Sequence, residues 1–370
     1  MKRVDSLTVK FGDRVIGSLS LNPTDNLCVF EYAPKWLREG FSISPLELPL
    51  RDGLFVAKAS PFDGGFGIFE DSLPDGYGRF LLDRTLRQQG IRMSDLSILD
   101  KLSIVGNGGM GALTYQPATH IDSEASDADL DTLQAKALAA LSEKDYKDAG
   151  LLLYNSGNSG GCRPKALMTD AEGHWIVKFR HTYDPLDFGQ TELFYNEAAR
   201  KCGITVPDFK LSAGKYFTTK RFDILPNGER IHTATAGGLL GISLSTPILD
   251  YDNLLALTGY LTQNRNEVEE MFRRMVFNYV SGNKDDHCKN FSFFVIRESN
   301  GWHWHLAPAY DLTPSDGGYN GEHATSVGGT SRPTDSDFIA CGRRAQLSEA
   351  TCQGIIDRVR EVCQAKRIAV

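Results

Sequence analysis

The segment Gly282–Phe291, GNKDDHCKNF, places a carboxylate at Asp285 and a carboxamide at Asn290, five residues apart. A second carboxylate, Asp311, follows 21 residues after Asn290 in Ala307-Pro308-Ala309-Tyr310-Asp311. Together these groups suit phosphoryl transfer. One carboxylate accepts the proton of an attacking hydroxyl. An amide oxygen and a second carboxylate hold the divalent cations that bridge nucleotide phosphates. A bland alternative exists for Asp285-Asp286, which also reads as a solvated turn pair.

The flanking elements must bring these groups together. Val268, Met271, Phe272, Met275, Val276 and Tyr279 recur at helical spacing up to Gly282, so the segment leaves the end of a core helix. Phe291–Arg297 reads as a strand, Asn300-Gly301 as a turn and Trp302–Ala307 as the return strand. The hairpin would carry Asn290 at its start and Asp311 just past its end, making them neighbours in space. The internal order, Asp-x4-Asn and then Asp, is that of a protein-kinase catalytic loop, here without HRD or DFG. His303 and His305 alternate on the return strand with His287 nearby. They admit a metal-histidine reading, or a plain packing and hydrogen-bonding role.

A phosphotransferase also needs a phosphate-covering half. Asn155–Lys165, NSGNSGGCRPK, is glycine-rich and precedes the strand Ala166–Thr169, the turn Asp170–Gly173 and the strand Trp175–Arg180. Glycines let backbone N–H groups approach an anion without a Cβ clash. Lys178 lies within apolar strand residues. It either meets phosphate oxygens and a helix carboxylate, or faces solvent from a half-exposed strand. Arg163 and Lys165 have surface charge as their alternative. The helix Phe188–Lys201, ended by Gly203, offers Glu192 and Glu197 as carboxylate partners.

The rest of the chain supplies support. Ser6–Lys10 and Val15–Leu21 flank the Gly12-Asp13 turn as a hairpin, and Cys28–Tyr32 is a further strand. Asp71–Gln89 begins as a turn and becomes a helix with Phe80, Leu81 and Leu86 on an apolar face. Gly106–Gly111 reads as a tight turn before the strand Ala112–Gln116, because no Lys-Ser/Thr or helix start follows it. Residues 119–131 are polar and acidic and read as a linker, and Leu133–Leu141 as a helix. Lys215–Phe222 reads as a strand, Pro226-Asn227-Gly228 as a hairpin turn, and Thr235–Leu240 as a connection between lobes.

With 370 residues, 41% hydrophobic and 24% charged, the chain is long enough for two or three domains with a large core. A net charge of −7 excludes a surface that is wholly a nucleic-acid footprint. Seven scattered cysteines without CxxC indicate neither a disulfide framework nor a zinc knuckle. The N-terminus lacks an apolar signal core and no 18-residue apolar run follows, so a cytoplasmic protein with no membrane span is expected.

On these motifs the chain resembles the HipA-type serine/threonine protein kinases, toxins of bacterial type II toxin–antitoxin systems. The resemblance runs nearly end to end. It rests on Tyr32–Leu37 (YAPKWL), Phe69–Gly76 (FEDSLPDG), Gly160–Lys165 (GGCRPK), Arg221-Phe222-Asp223, Gly282–Phe291 and Tyr310-Asp311. It implies an α+β, two-lobed, protein-kinase-like fold in three parts. Residues 1–118 would form a small mixed N-terminal subdomain, 119–250 a nucleotide-binding lobe with the glycine-rich loop, and 251–370 a mainly helical lobe with the catalytic and metal segments.

The resemblance further implies ATP and Mg2+ as cofactors. Asp285 matches the catalytic aspartate, and Asn290 and Asp311 match the metal pair. Lys178, Lys165, Gly160, Gly161, Arg163 and Glu192 fall at the ATP site. Family members carry an autophosphorylated serine in the glycine-rich loop. Here Asn158 stands at that position, which leaves Ser159 ahead of Ser156 as autophosphorylation candidates. The implied partners are a helix-turn-helix antitoxin (HipB-like), DNA only through that antitoxin, and a protein substrate such as an aminoacyl-tRNA synthetase. The alternative is a weakly catalytic or non-catalytic partner of the antitoxin that assists operon repression.

Overall fold

The structure is a computed structural model and describes residues 3–121, 128–142, 147–157, 160–245, 248–315 and 321–368. The chain forms two compact units. The first comprises Met1–Gln190 and Asp208–Thr233, the second Thr191–Pro207 and Ala234–Val370. The fold is mixed α+β, as expected.

The first unit opens with a five-stranded antiparallel sheet. It is built from β1 (Ser6–Phe11), β2 (Arg14–Leu21), β3 (Cys28–Tyr32), β4 (Leu54–Val56) and β5 (Leu113–Gln116), in the order β4-β3-β2-β1-β5. Phe11 pairs with Arg14, so Gly12-Asp13 is a two-residue hairpin loop, and Gly12 takes the positive φ of 56° that such a turn demands. Pro34 starts α1 (Pro34–Glu39), whose buried Trp36 donates its indole N–H to Phe41 O at 2.9 Å. α2 (Gly67–Glu70) leads into α3 (Gly76–Gln88), and α4 (Ile98–Val105) is held by a capping box between Ser97 and Asp100.

The Gly106–Gly111 turn has no phosphate-cradle character. Gly111 N–H donates to Asp223 at 2.8 Å, while Arg230 binds the carbonyls of Asn107 and Gly109. Burial alone would raise the Asp223 carboxyl. The hydrogen bonds and charge of Arg221 outweigh that and hold it below its ordinary range.

A second antiparallel sheet follows in the same unit, in the order β6-β7-β9-β8. Its strands are β6 (Lys165–Asp170), β7 (Gly173–Lys178), β8 (Phe209–Ser212) and β9 (Tyr216–Lys220). One face packs on α5 (Leu130–Ser142) and α6 (Ala149–Ser156). Leu133, Ala137, Ala140, Leu152, Ala166, Val177 and Phe179 share a core with Tyr77 and Leu81 of α3. Fully burying side chains such as Leu81 and Val177 stabilises by roughly 1.5–3 kcal/mol each. The N-terminal subdomain and the second sheet therefore share one apolar core within this unit.

α7 (Phe188–Lys201) passes from the first unit into the second and stops at Gly203, with φ 85°. β10 (His232–Thr235) does the same and runs directly into α8 (Ala236–Leu240), capped by the Thr235 hydroxyl. The second unit is mainly helical, with α9 (Tyr251–Thr262), α10 (Arg265–Ser281), α11 (Asp335–Arg344) and α12 (Glu349–Ala365). β11 (Leu249–Asp250) pairs in parallel with β14 (Thr325–Ser326). β12 (Ser292–Glu298) and β13 (Gly301–Leu306) form the expected hairpin, in a sheet of order β10-β12-β13. Six cysteines are buried and Cys162 is exposed.

His232 is fully buried, with Nε2 2.8 Å from Ile43 O, and burial lowers its pKa from 6.5 to about 4. The unfolded chain takes up this proton near pH 6.5 and the folded chain does not. Stability is therefore complete above pH 6.5 and is lost as pH falls toward 4, by about 3 kcal/mol in all. Urea unfolding between pH 7 and pH 4.5 should show this slope in the native chain. In His232→Gln the slope should be shallower by this amount, because the amide donates to Ile43 without titrating.

Candidate active site

α10 carries the core residues predicted for it, Val268, Met271, Phe272, Met275 and Val276, all buried. Gly282 closes it in the left-handed region, φ 72°, and donates to the carbonyls of Asn278 and Tyr279. The chain turns away from the helix there, and the four residues 283–286 then divide by exposure. Asp285 is exposed, whereas Asn283 and Asp286 are buried. Asp286 is thus no solvated turn residue. Its carboxylate accepts from Tyr251 Oη at 2.8 Å, His323 Nδ1 at 3.2 Å and Thr325 N at 3.2 Å. Its carbonyl accepts from the Thr325 hydroxyl. Burial and the Asp286 charge push the Tyr251 hydroxyl well above its usual pKa, so it remains a donor.

The same network reaches Asp311. Asn278 Nδ2 donates to Tyr251 Oη at 2.9 Å, and Asn283 Nδ2 donates both to Asn278 Oδ1 at 3.1 Å and to Asp311 O at 3.0 Å. The segment from Ala307 to Asp311 is tied at nearly every residue. Ala307 N donates to Ser292 O, Ala309 N to Thr205 O at 2.8 Å, and Tyr310 Oη to Lys289 O at 2.7 Å. Thr205 N is held by Glu270, which also binds Arg273 and the buried Arg274. Asp311 itself adopts φ 54°, a left-handed conformation that aspartate accepts more readily than most residues.

Asn290 Nδ2 donates to Asp285 O at 2.7 Å. This commits the nitrogen and leaves Oδ1 as the atom suited to a hard cation. Asp285, Asn290 and Asp311 are therefore brought into one hydrogen-bonded neighbourhood of the second unit. Asn278, Asn283 and Tyr251 were not singled out from the sequence, Asp286 was read only as half of a turn pair, and Tyr310 only as part of a motif. An asparagine at 278, inside an otherwise apolar helical face, was the one available signal. The histidines of the return strand fall elsewhere. His305 lies 3.0 Å from both Glu267 and Glu298, as a hydrogen-bonded packing group. Among the described residues no group of three or more His, Cys, Asp or Glu is arranged to hold a metal ion.

In the first unit, Lys165 and Lys178 face each other across β6 and β7, and each is 9% exposed. The solvent-facing alternative for Lys178 thus fails. Lys178 Nζ lies 5.6 Å from the centre of the Phe217 ring, and Lys165 Nζ donates to Gly160 O. Arg163 is held by Asp184 through Nε at 2.9 Å and Nη2 at 3.1 Å, and lies 4.7 Å over the Phe188 ring. Gly161 is held by Asp75 and Tyr77, and the carbonyl of Gly160 by Lys165. Ser156 ends α6 and is buried, with its hydroxyl directed to the carbonyls of Leu153 and Gly157. Asn158 and Ser159 lie outside the described residues. On α7, Glu192 is 2% exposed, whereas Glu197 is bound by Lys366 at 3.0 Å.

Comparison with known proteins gives the family and the fold. The family described as HipA-like C-terminal domain matches residues 157–366, more than half of the chain. The chain belongs to the HipA family. The HipA N-terminal domain description matches residues 7–116. A Sinorhizobium fredii protein named "Putative kinase Y4dM" is 26% identical over 404 residues, covering 99% of this chain and 93% of that protein. A solved structure of the Shewanella oneidensis MR-1 toxin–antitoxin system, HipA with HipB and operator DNA, matches with a TM-score of 0.71 at 20% identity. It covers 98% of this chain and 90% of that one, so the two share a fold.

Tyr251→Phe removes one donor from a buried carboxylate and one acceptor from Asn278. This should lower unfolding stability by about 1–3 kcal/mol. A urea midpoint unchanged from the native chain would show that the network does not bear on stability.

Proposed function

We propose that this HipA-family chain is an ATP- and Mg2+-dependent serine/threonine protein kinase and the toxin of a toxin–antitoxin pair. The observation that carries the reading is the hydrogen-bonded neighbourhood in which Asn290 Nδ2 donates to the Asp285 carbonyl, Asn283 Nδ2 donates to the Asp311 carbonyl, and Tyr310 Oη donates to Lys289 O beside Asn290. The donor set fits a magnesium ion: a carboxylate at Asp311 and a carboxamide oxygen at Asn290, both hard oxygen ligands. When bound, magnesium would supply charge neutralisation at the nucleotide phosphates.

The chain's own residues do the rest. Asp285, exposed and fixed through its carbonyl by Asn290, accepts the proton of the acceptor hydroxyl. Lys165 and Lys178 are paired residues on β6 and β7, so two lysine side chains leave the sheet on one face. A polyphosphate would favour two cations on one face of the sheet. Gly160 and Gly161 cover the phosphates, and Arg163, held by Asp184, sets the loop. Glu192, buried on α7, stays the ATP-site carboxylate of this reading.

The acceptor in this reading is a protein hydroxyl, with an aminoacyl-tRNA synthetase the first substrate to try. The partner is a helix-turn-helix antitoxin through which the chain meets operator DNA. The HipB–DNA assembly of the Shewanella relative supports that partnership. Docking on the antitoxin is compatible with catalysis, and it would be the chain's main role if phosphotransfer proved negligible.

Asp285→Asn should lower phosphotransfer by two or more orders of magnitude while circular dichroism and the urea midpoint stay native, as expected for loss of a general base. Asp311→Asn should abolish the magnesium-dependent part of ATP binding measured by calorimetry. Undiminished transfer by Asp285→Asn, or unchanged metal-dependent binding by Asp311→Asn, would overturn the assignment.

A further inference from the structure

The glycine-rich loop is held by residues that lie some 85 positions earlier in the chain, in the FEDSLPDG motif. Asp75 Oδ1 accepts the N–H of Gly161, and Gly161 O in turn accepts the N–H of Tyr77 at 3.0 Å. Both polar groups of one loop peptide residue are therefore committed to the start of α3. The approach is too close for a side chain. A Cβ at Gly76, whose φ is 43°, would lie 2.4 Å from Gly161 O, and one at Gly160 would lie 3.1 Å from Asp75 Oδ1. Lys165 adds a bond from the other side, to Gly160 O. Tyr77 is anchored in turn, because its ring is part of the apolar core beneath α5, α6 and β7.

We infer that Asp75 is a positioning residue for the nucleotide site: through Gly161 it holds the glycine-rich loop in the shape in which it covers phosphates. The N-terminal subdomain is thereby a working part of the phosphotransfer centre. This rests on the proposed nucleotide-binding role of the loop. A backbone of glycines has many conformations to lose, and without an acceptor at Asp75 the loop would sample them before each binding event. Gly161 N–H is already taken, so the phosphates are left to the neighbouring amides and to Lys165 and Lys178.

Three variants of the full-length chain test this: Asp75→Ala, Asp75→Asn and Gly76→Ala. Amide hydrogen exchange over Gly160–Cys162 reads the clamp without any nucleotide, and calorimetry with ATP and magnesium reads its consequence. Asp75→Ala should speed exchange at Gly161 and weaken ATP binding about five- to thirtyfold, as loss of one charge-assisted hydrogen bond implies. The urea midpoint should remain close to native. Asp75→Asn keeps an acceptor oxygen and should restore most of both. Gly76→Ala should act like Asp75→Ala, by pushing Gly161 away. Unchanged exchange in Asp75→Ala would overturn the clamp. Faster exchange with equal or tighter ATP binding would overturn the positioning role. Faster exchange in Asp75→Ala with no ATP binding by the native chain would leave the clamp standing and remove the nucleotide reading instead.

Discussion

A carboxylate with no access to water must be given donors, and much of the second unit is arranged to do so for Asp286. Tyr251, His323 and Thr325 converge on it from α9, from the segment before β14 and from β14 itself. Removing an ionised carboxylate from water costs several kcal/mol, and only a full set of hydrogen bonds offsets it. Tyr251 also accepts from Asn278, which in turn accepts from Asn283, so satisfying Asp286 also settles Asn278, Asn283 and the carbonyl of Asp311. Asp285 is held at the surface because its neighbour is held inside.

The first unit meets a different constraint. A loop rich in glycine is useful near anions and costly to order, so its order must be imported. Here it comes from α3 and from the base of β6, both rooted in one apolar core. Asp223 and Arg230 do the same for the Gly106–Gly111 turn. In both cases a short, flexible stretch is fastened by a charged side chain from a distant part of the chain.

Much of this was legible in the sequence. The α10 periodicity, the β12–β13 hairpin and the Gly12-Asp13 turn follow from spacings of four, two and a single glycine, which are local signals. The nearness of Asn290 and Asp311 followed from the hairpin, since a strand pair of known length returns the chain to its start. What stayed hidden was whatever depended on a partner far along the chain. Asp286 looked like half of a turn, and nothing near it announces Tyr251 or Thr325. Lys178 could not be told from a solvent-facing lysine, because burial on a strand depends on what covers the sheet. Asp75 sat inside a motif noted only for its resemblance, and its contact with Gly161 crosses 86 residues.

The fasteners of the first unit also set an order of events during synthesis. Asp75 waits for Gly161, Gly111 waits for Asp223, and Ile43 waits for His232, 189 residues downstream. A ribosome adding about 5–20 residues per second leaves roughly 10–40 s between Ile43 and its histidine. Through that interval the N-terminal sheet lacks its histidine clasp, whereas Asp75 can meet Gly161 as soon as residue 161 is free of the ribosome. The chain therefore completes the fasteners of its first unit only after residue 232 has left the ribosome, when most of the helical unit is still to be made.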